Sequence, residues 1–378
     1  MVSMSSIASN VYAAEPQFST PRGVAVDSSG NVFVVDSGNN RIQKFSNTGV
    51  FITMWGSHCD IFGGNECNGK FDQARGIAVD SSGNVFVADS GNNRIQKFSN
   101  TGKFIRKWGS QGSGDGQFGE MHQVAVDSLG NVFVTDVGNT RIQKFSNTGT
   151  FIRKWGTPGS GNGQFSDPFG VAVDTRSGQQ NVFVSDFEHD NIQKFSNTGN
   201  FIKKWGSQGS GNGQFSHPDN VAVDSLGNVF VADGSNDRIQ KFSNTGTFIR
   251  KWGSSGSGDG QFNSPEGIAV DKSGNVFVSD GNDRIQKFSN TGKFIRKWGT
   301  FGTTSLSSAS EKLPNAFEGK QINASGVEQL NASEAPTKSV QNPKSIGTQD
   351  ETASQFPAVL ATYSSQNNTQ DETASEFP

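Results

Sequence analysis

Residues 76–109 read GIAVDSSGNVFVADSGNNRIQKFSNTGKFIRKWG, and this stretch decides the fold. Within it, residues 76–79, 85–88, 94–98 and 104–108 are short and rich in β-branched and aromatic side chains, which is typical of strands. Asp, Ser, Asn and Gly lie between these runs and favour tight turns. The stretch therefore predicts four antiparallel strands in a row.

The same unit occurs six times between about residue 17 and residue 299, and consecutive copies of its tryptophan are 46 to 53 residues apart. A four-stranded sheet with two apolar faces needs a neighbour on each side, and radial packing of such repeats supplies one. We therefore predict an all-β fold, a six-bladed β-propeller of four-stranded antiparallel blades over residues 16–302. The repeated tryptophans are Trp55, Trp108, Trp155, Trp205, Trp252 and Trp298.

The segments that flank the repeats differ from them in composition. Residues 1–15 end in small residues, and we interpret them as a leader or signal remnant, although a charged start and a full apolar stretch are missing. Residues 303–378 are rich in Ser, Thr, Asn and Gln and have little to bury, which predicts a disordered C-terminal tail.

The net charge and the hydropathy of the sequence limit the kinds of partner that we expect. The formal net charge is −3, whereas a nucleic-acid-binding protein needs a strongly basic face, so we expect no nucleic-acid partner. No run of 18 apolar residues occurs, and we expect no membrane span.

The chain has two cysteines, Cys59 and Cys67, in a Gly-rich insertion that lengthens the first repeat. Eight residues apart, they predict a small disulfide loop, which fits an oxidising compartment. Free thiols or a zinc site are the alternatives, but only His58 is adjacent as a further zinc ligand. We therefore favour a secreted or cell-surface protein, with a cytoplasmic one as the alternative.

The segment DSGNNRIQKF at residues 89–98, preceded by GIAVD at residues 76–80, resembles the NHL repeat. The resemblance covers all six units, residues 17–299, and does not extend to the tail. It implies a propeller, but the family includes noncatalytic binding modules, RNA-binding domains, kinase sensor domains and the peptide-amidating lyase. Fold therefore does not choose among these functions.

The repeat provides an internal control, because residues that all six copies share predict structure. Alternating strand direction places the connection before the first strand and the turn after the second strand at one end of each blade. We call this end face one, and the opposite end face two. The turn Ser-Asn-Thr-Gly on face two is identical in all six copies. The arginine that follows the second turn recurs behind an aspartate in five copies, which predicts an ion pair within the blade.

Face one is where the copies differ. The residue just before each inner strand changes around the ring, and we call these six positions the mouth; they are Arg22, Arg75, His122, Phe169, Asp219 and Glu266. We expect two arginines on one side of the mouth and two carboxylates across from them. Convergent polar and aromatic groups at a concave opening predict a ligand site.

Blade four also departs from the pattern in its second turn, which contains Phe187 and His189, and Asn191 replaces the usual arginine. This change leaves Asp186 without its expected partner. The candidate ligand-binding residues are therefore the mouth together with Phe187, His189 and Asn220. Neutral drift of loops after duplication is the competing interpretation.

Two classes of function follow. The first is a noncatalytic module that binds a protein, peptide or glycan on face one, as a monomer, without catalytic residues or a cofactor. The second is a metal-dependent lyase or hydrolase, with Ca²⁺ or Zn²⁺ held by His122, Asp219, Asn220 and Glu266. Three convergent histidines are the minimum for the zinc site of the amidating lyase, and only His122 occupies such a position. A structural scaffold is a third possibility.

Overall fold

The structure is a computed structural model that describes residues 16–59, 67–176, 178 and 180–303. The expected leader, residues 1–15, and the expected tail from residue 304 onward lie outside the described residues.

Six four-stranded antiparallel sheets form the blades of a propeller, which confirms the predicted fold. In blade order, the inner strands are Pro21–Val26, Ala74–Val79, Met121–Val126, Pro168–Val173, Pro218–Val223 and Ile268–Val270. The second strands are Val32–Asp36, Val85–Asp89, Val132–Asp136, Val182–Asp186, Val229–Asp233 and Val276–Asp280. The third strands are Arg41–Phe45, Arg94–Phe98, Arg141–Phe145, Asn191–Phe195, Arg238–Phe242 and Arg284–Phe288. The outer strands are Phe51–Trp55, Phe104–Trp108, Phe151–Trp155, Phe201–Trp205, Phe248–Trp252 and Phe294–Trp298.

The inner strands begin earlier than the sequence predicts, except in blade six. In blade two the strand starts at Ala74, and the pairing shifts register between Ala74 and Ile77. This bulge places Arg75 within the strand at its face-one end, because an extra residue in a ladder bends the strand and redirects side chains. The same shift occurs in blades one, three, four and five.

The hydrophobic core lies between blades rather than inside them. Phe33 and Val35 of blade one, for example, share a buried cluster with Val85 and Val87 of blade two. Both faces of a second strand are therefore buried, which explains why Val-Phe-Val runs replace a simple alternation of polar and apolar residues.

The repeated tryptophan and the repeated Ser-Asn-Thr-Gly turn meet at each blade junction. The ring of Trp55 lies over Gly102 of the next blade, where an added Cβ would be 2.6 Å from the indole Cδ2. Gly102 also has a φ of +84°, a conformation that side chains other than glycine disfavour. The turn is invariant because it receives a tryptophan. The other pairs are Trp108 with Gly149, Trp155 with Gly199, Trp205 with Gly246, Trp252 with Gly292, and Trp298 with Gly49.

Ring closure uses the same contacts as every other junction. Gln17–Phe18 pairs in parallel with Thr300–Phe301, next to the packing of Trp298 on Gly49. At the internal junctions the same elements form single parallel bridges, such as Gln111 with Phe118. As expected, each four-stranded blade is built from one continuous stretch of chain. The short parallel pair was not expected.

A buried carboxylate at the end of each second strand organises the blade. Asp89 accepts hydrogen bonds from Arg94 Nε at 2.7 Å, Gln96 Nε2 at 3.0 Å and Asn92 Nδ2 at 3.0 Å. It also accepts the backbone N–H of Asp72, at 2.8 Å, from the connection that precedes the inner strand. The expected pair within the blade is confirmed, and it recurs as Asp36–Arg41, Asp136–Arg141, Asp233–Arg238 and Asp280–Arg284.

The predicted disulfide is present between Cys59 and Cys67. Its two ends hold carbonyl groups in place for the blade-two network, since Asn92 Nδ2 donates to Cys59 O at 2.8 Å and Arg94 Nη2 donates to Cys67 O at 2.9 Å. At the next junction, carbonyls of the glycine-rich connection take this part, such as Gly114 O for Arg141. The two ends of the disulfide loop therefore join blades one and two by accepting hydrogen bonds from an asparagine and an arginine of blade two.

Substitution of Gly102 by alanine tests the tryptophan–glycine junction. We expect G102A to lower the free energy of unfolding by about 3 kcal/mol in urea denaturation, because it combines a left-handed backbone with a clash against Trp55. Gly178 provides the matched control: its φ is +80°, but no described atom lies within 4 Å of an added Cβ. G178A should cost about 1 kcal/mol. Equal losses for the two variants would contradict the account.

Candidate functional site

The structure places all six mouth residues around one opening on the propeller axis. They line a single narrow cavity together with Gln123, Asn220, Gly23 and Gly267. In blades one to five a bulge at the start of the inner strand positions the mouth residue, because it fixes the backbone at that end of the sheet, and in blade six the backbone N–H of Glu266 donates to Ser279 O at 3.0 Å. Their side chains therefore form one set.

The two arginines of the mouth form ion pairs between blades. Arg22 forms a salt bridge with Glu266 across the junction of blades one and six. Arg75 Nη2 lies 2.8 Å from Glu120 Oε1, a residue that the sequence analysis did not select. Each arginine of the mouth is therefore paired with a carboxylate of a neighbouring blade, contacts that the sequence did not predict.

His122 lies between these charges. Its Nε2 is 2.6 Å from Arg75 Nη1 and 3.1 Å from Glu120 Oε1. Burial lowers the pKa of His122 to about 4, with Glu120 opposing the shift and Arg75 adding to it. The contact with His122 and the guanidinium of Arg75 hold the pKa of Glu120 at about 2, against the effect of burial. At neutral pH the ring of His122 is therefore uncharged and Glu120 is ionised.

Asp219 and Glu266 lie close enough to interact. Burial, followed by repulsion from Glu266, raises the pKa of Asp219 well above its ordinary value, and the charges of Arg22 and Arg75 oppose the rise. Burial likewise raises the pKa of Glu266, although Arg22 counteracts it. Within the described residues no donor is hydrogen-bonded to the Asp219 carboxylate, which leaves it available to a ligand.

Four rings form a continuous row across blades three, four and five. Phe169 and Phe187 are stacked, with centroids 4.2 Å apart and planes 17° apart. The ring centroid of His122 lies 3.9 Å from that of Phe169, and the ring centroid of His217 lies 4.7 Å from that of Phe187. We call these four residues the aromatic row. It brings Phe187, which the sequence placed on a different loop, to the mouth.

His189 does not line the mouth. Its Nδ1 lies 2.9 Å from Asp186 Oδ2, a contact that the asparagine at the same turn position makes in other blades, such as Asn92 with Asp89. Asp186 also accepts the backbone N–H groups of Ser166 and Asp167, each at 3.1 Å from Oδ1. Asp186 therefore lacks the usual arginine, as expected, since Asn191 Nδ2 donates to His189 O instead, but the carboxylate is buried and fully engaged with other partners. His189 thus has a structural contact.

The two amides near the mouth also have structural partners. Asn220 Oδ1 accepts the backbone N–H of Val221 at 2.8 Å. Gln123 Oε1 accepts the N–H groups of Ile77 at 3.1 Å and Val124 at 2.9 Å. Both amides therefore satisfy backbone donors of the bulged inner strands.

The alternative metal site was tested against these contacts. Among the described residues, no group of three or more His, Cys, Asp or Glu side chains is arranged to hold a metal ion. The oxygen of Asn220 is taken by its own backbone, Glu266 holds Arg22, and His122 lies against Arg75. Three of the four candidate ligands, His122, Asn220 and Glu266, thus have protein partners in this arrangement, and we derive no chemistry through a metal.

Basic side chains on the outer strands are spread around the rim and contact the next blade. Arg106 Nη1, for example, donates to Thr148 O at 2.5 Å, and Arg153, Lys203, Arg250 and Arg296 make the equivalent contact.

In the part of the chain that the structure describes, no helix is long and apolar enough to cross a membrane.

Glu120 and His217 were not selected as site residues from the sequence, although His217 was placed on face one. Both lie on face-one connections, two residues before His122 and Asp219, respectively. Glu120 could have been found from its position beside a variable mouth residue on an otherwise repeated connection. His217 contacts Phe187 across a blade junction, and no pattern within one blade indicates that contact.

Comparisons with known proteins agree with the architecture. The NHL repeat family model matches residues 18–45, 71–98 and 118–145, and a family described as 6-bladed beta-propeller matches residues 216–299. Human NHL repeat-containing protein 3 is 35% identical over 97 residues, which are 24% of this chain and 26% of that protein.

Two proteins with enzyme names are also similar. Mouse peptidyl-glycine alpha-amidating monooxygenase is 36% identical over 102 residues, 26% of this chain and 10% of that protein. A streptogramin B lyase structure superimposes with a TM-score of 0.51 at 16% identity, covering 76% of this chain and 84% of that one. The last similarity shows the fold alone. The matches to the two curated relatives span about a quarter of their length or less.

The environment of His122 makes a testable prediction about its protonation. We expect NMR titration of the imidazole signals to give a midpoint near pH 4, because burial disfavours the charged ring. E120Q should lower that midpoint further, since Glu120 favours the charged form, whereas E188Q on the exposed turn of blade four should leave it unchanged.

The sign of the stability change follows. The ring binds its proton near pH 4 in the folded protein and near pH 6.5 when it is unperturbed. The contribution of His122 to the free energy of unfolding therefore decreases as the pH falls from 6.5 to 4. A midpoint near 6.5, or an increase in E120Q, would rule out this description of the site.

Proposed function

We propose that this chain, whose NHL repeats build a six-bladed β-propeller, is a noncatalytic binding module that holds a protein, peptide or glycan ligand at the mouth. The observation that carries the proposal is the combination of the aromatic row with an unbonded carboxylate at one axial opening. Ligand sites are typically concave, with apolar walls and a few polar groups.

The contrast between the surfaces of the propeller supports this choice. On face two, the invariant turns receive tryptophans, and Lys44 and its equivalents lie over phenylalanine rings while they bond to the next blade. On the rim, basic residues bond to neighbouring turns. These groups serve the junctions between blades, whereas the residues that differ between copies gather on face one. Selection for a ligand explains that distribution better than uniform drift.

We also propose that the protein acts as a monomer outside the cytoplasm, without a cofactor or a nucleic-acid partner. The disulfide supports an oxidising compartment, because cytosolic thiols are kept reduced. The spread of basic residues around the rim, rather than on one face, supports the exclusion of nucleic acid. A cytoplasmic location is the alternative.

A metal-dependent lyase or hydrolase is the second candidate. The local similarity to peptidyl-glycine alpha-amidating monooxygenase favours it, while the contacts of His122, Asn220 and Glu266 speak against a shared ligand set.

Arrays of random-sequence peptides and of glycans test the proposed binding face. F169A/F187A should lose the binders that the wild-type protein recognises, because it removes the stacked pair of the aromatic row. L129A/L226A should keep them: it removes two apolar side chains that are 72% and 70% exposed on face two. Retention of binding by F169A/F187A, or its loss in L129A/L226A, would refute binding at the mouth.

Metal analysis of the purified protein separates the two candidates. We expect less than stoichiometric Ca²⁺ and Zn²⁺, and the same content in D219A/E266A. Stoichiometric metal that is lost in D219A/E266A would overturn the proposal in favour of a metal-dependent enzyme.

A further inference from the structure

A side cavity opens next to the mouth and has a mixed wall. Its volume is about 250 Å³, and its lining includes the apolar rings of Phe169 and Phe187 and the charged groups of Arg22, Glu266 and Asp219. Pockets for drug-sized ligands usually measure about 300–1,000 Å³, so this cavity lies just below that range and has room for one side chain of a larger ligand. The occupant must therefore match both an apolar wall and a polar one.

The charges around the side cavity are unbalanced. Arg22 is neutralised by Glu266 and Arg75 by Glu120. The carboxylate of Asp219 has no cation within 4.0 Å among the described residues. The positive charges of the mouth are therefore already satisfied, and the charge left over at the cavity is negative.

Two further carboxylates lie next to Phe187, one of the residues that line the cavity. Asp167 and Glu188 flank Phe187, whose backbone N–H donates to Asp167 O at 2.9 Å, and neither has a cationic partner in the ranges that the structure describes. Burial, and then the charge of Glu188, raises the pKa of Asp167. Acidic groups that repel one another in this way attract a cation from outside.

The aromatic wall contributes apolar contact rather than a cation–π interaction. The faces of Phe169 and Phe187 are covered by each other and by His122 and His217. The rings therefore offer their edges to the cavity, where they fit an aliphatic chain. A long side chain with a charged head buries its methylene groups in this way and keeps the head on polar groups.

We propose that the side cavity binds a lysine or arginine side chain of a peptide ligand, with its stem along Phe169 and Phe187 and its cationic head on Asp219. The inference rests on the proposed function and names the ligand chemistry of the same face. The side cavity would therefore select cationic peptides over glycans and acidic peptides, because an uncharged or anionic group would leave Asp219 without a partner.

A pH dependence follows from the same geometry. The bound cation requires ionised Asp219, whose pKa is raised by burial and by Glu266, with Arg22 and Arg75 opposing. A proton and the cationic head therefore compete for one carboxylate. Affinity should fall as the pH is lowered through this raised pKa, at a higher pH than an ordinary aspartate would produce.

The test uses four fluorescein-labelled pentapeptide amides of the form Gly-Ser-X-Ser-Gly, in which X is lysine, arginine, norleucine or glutamate. We expect fluorescence anisotropy to show that the lysine and arginine peptides bind at least about tenfold more tightly than the norleucine peptide. The glutamate peptide should bind most weakly. Lowering the pH from about 7.5 to about 5 should weaken binding of the lysine peptide.

Two variants assign the effect to Asp219. D219N should reduce the preference for lysine over norleucine to within about twofold and abolish the pH dependence. D259N is the matched control, because Asp259 pairs with Lys297 in an exposed salt bridge and does not line the side cavity. Thermal unfolding of both variants shows that they are folded.

The outcomes separate this inference from the proposed function. Equal binding of the lysine, arginine and norleucine peptides, all lost in F169A/F187A, would overturn the cationic selectivity and leave the binding face intact. No binding of the lysine and arginine peptides at millimolar concentration would also overturn the inference, whereas the proposed function would still be judged by the arrays. If D259N and D219N lose the preference for lysine over norleucine equally, Asp219 is not the residue that binds the cationic head.

Discussion

The buried carboxylate at the end of each second strand is the interaction on which the rest depends. In blade two, Asp89 joins its own strand to the third strand through Arg94 and Gln96, and to the preceding connection through the backbone of Asp72. Asp89 has no exposure to solvent, and burial raises its pKa despite these bonds. Loss of one partner would leave a buried charge uncompensated, which explains why the set is repeated.

This network also fixes the loops of face one, because the connection before the inner strand and the turn after the second strand both bond to the same carboxylate. Their backbones are held by groups that do not reach the mouth. Side chains such as Arg22, Phe169 and Asp219 can therefore differ between blades without a change in the fold. In blade four, His189 stands where the other blades have asparagine and makes the equivalent contact, so that even the most divergent turn keeps a partner for Asp186.

The fold could be predicted from the sequence because its determinants are local and occur six times. The site could be predicted only in part, because its contacts cross blade junctions. The positions of Arg22 and Glu266 at the mouth followed from register, but their salt bridge depends on which blades meet when the ring closes. Likewise, the stack of Phe169 on Phe187 joins two loops of blade four, and the contact of His189 with Asp186 turns an apparent ligand residue into a structural one. Residue type and repeat position indicate where variation lies, whereas the direction of each side chain depends on packing.

The central claim is that the shared residues build the blades and that the variable residues of face one bind the ligand. Hydrogen–deuterium exchange of the protein, with and without a peptide selected from the array, tests this claim most directly. The account predicts that binding slows exchange at the face-one segments around residues 20–23, 120–123, 167–170, 187–190 and 217–220. Protection confined to the Ser-Asn-Thr-Gly turns of face two or to the outer strands would contradict it.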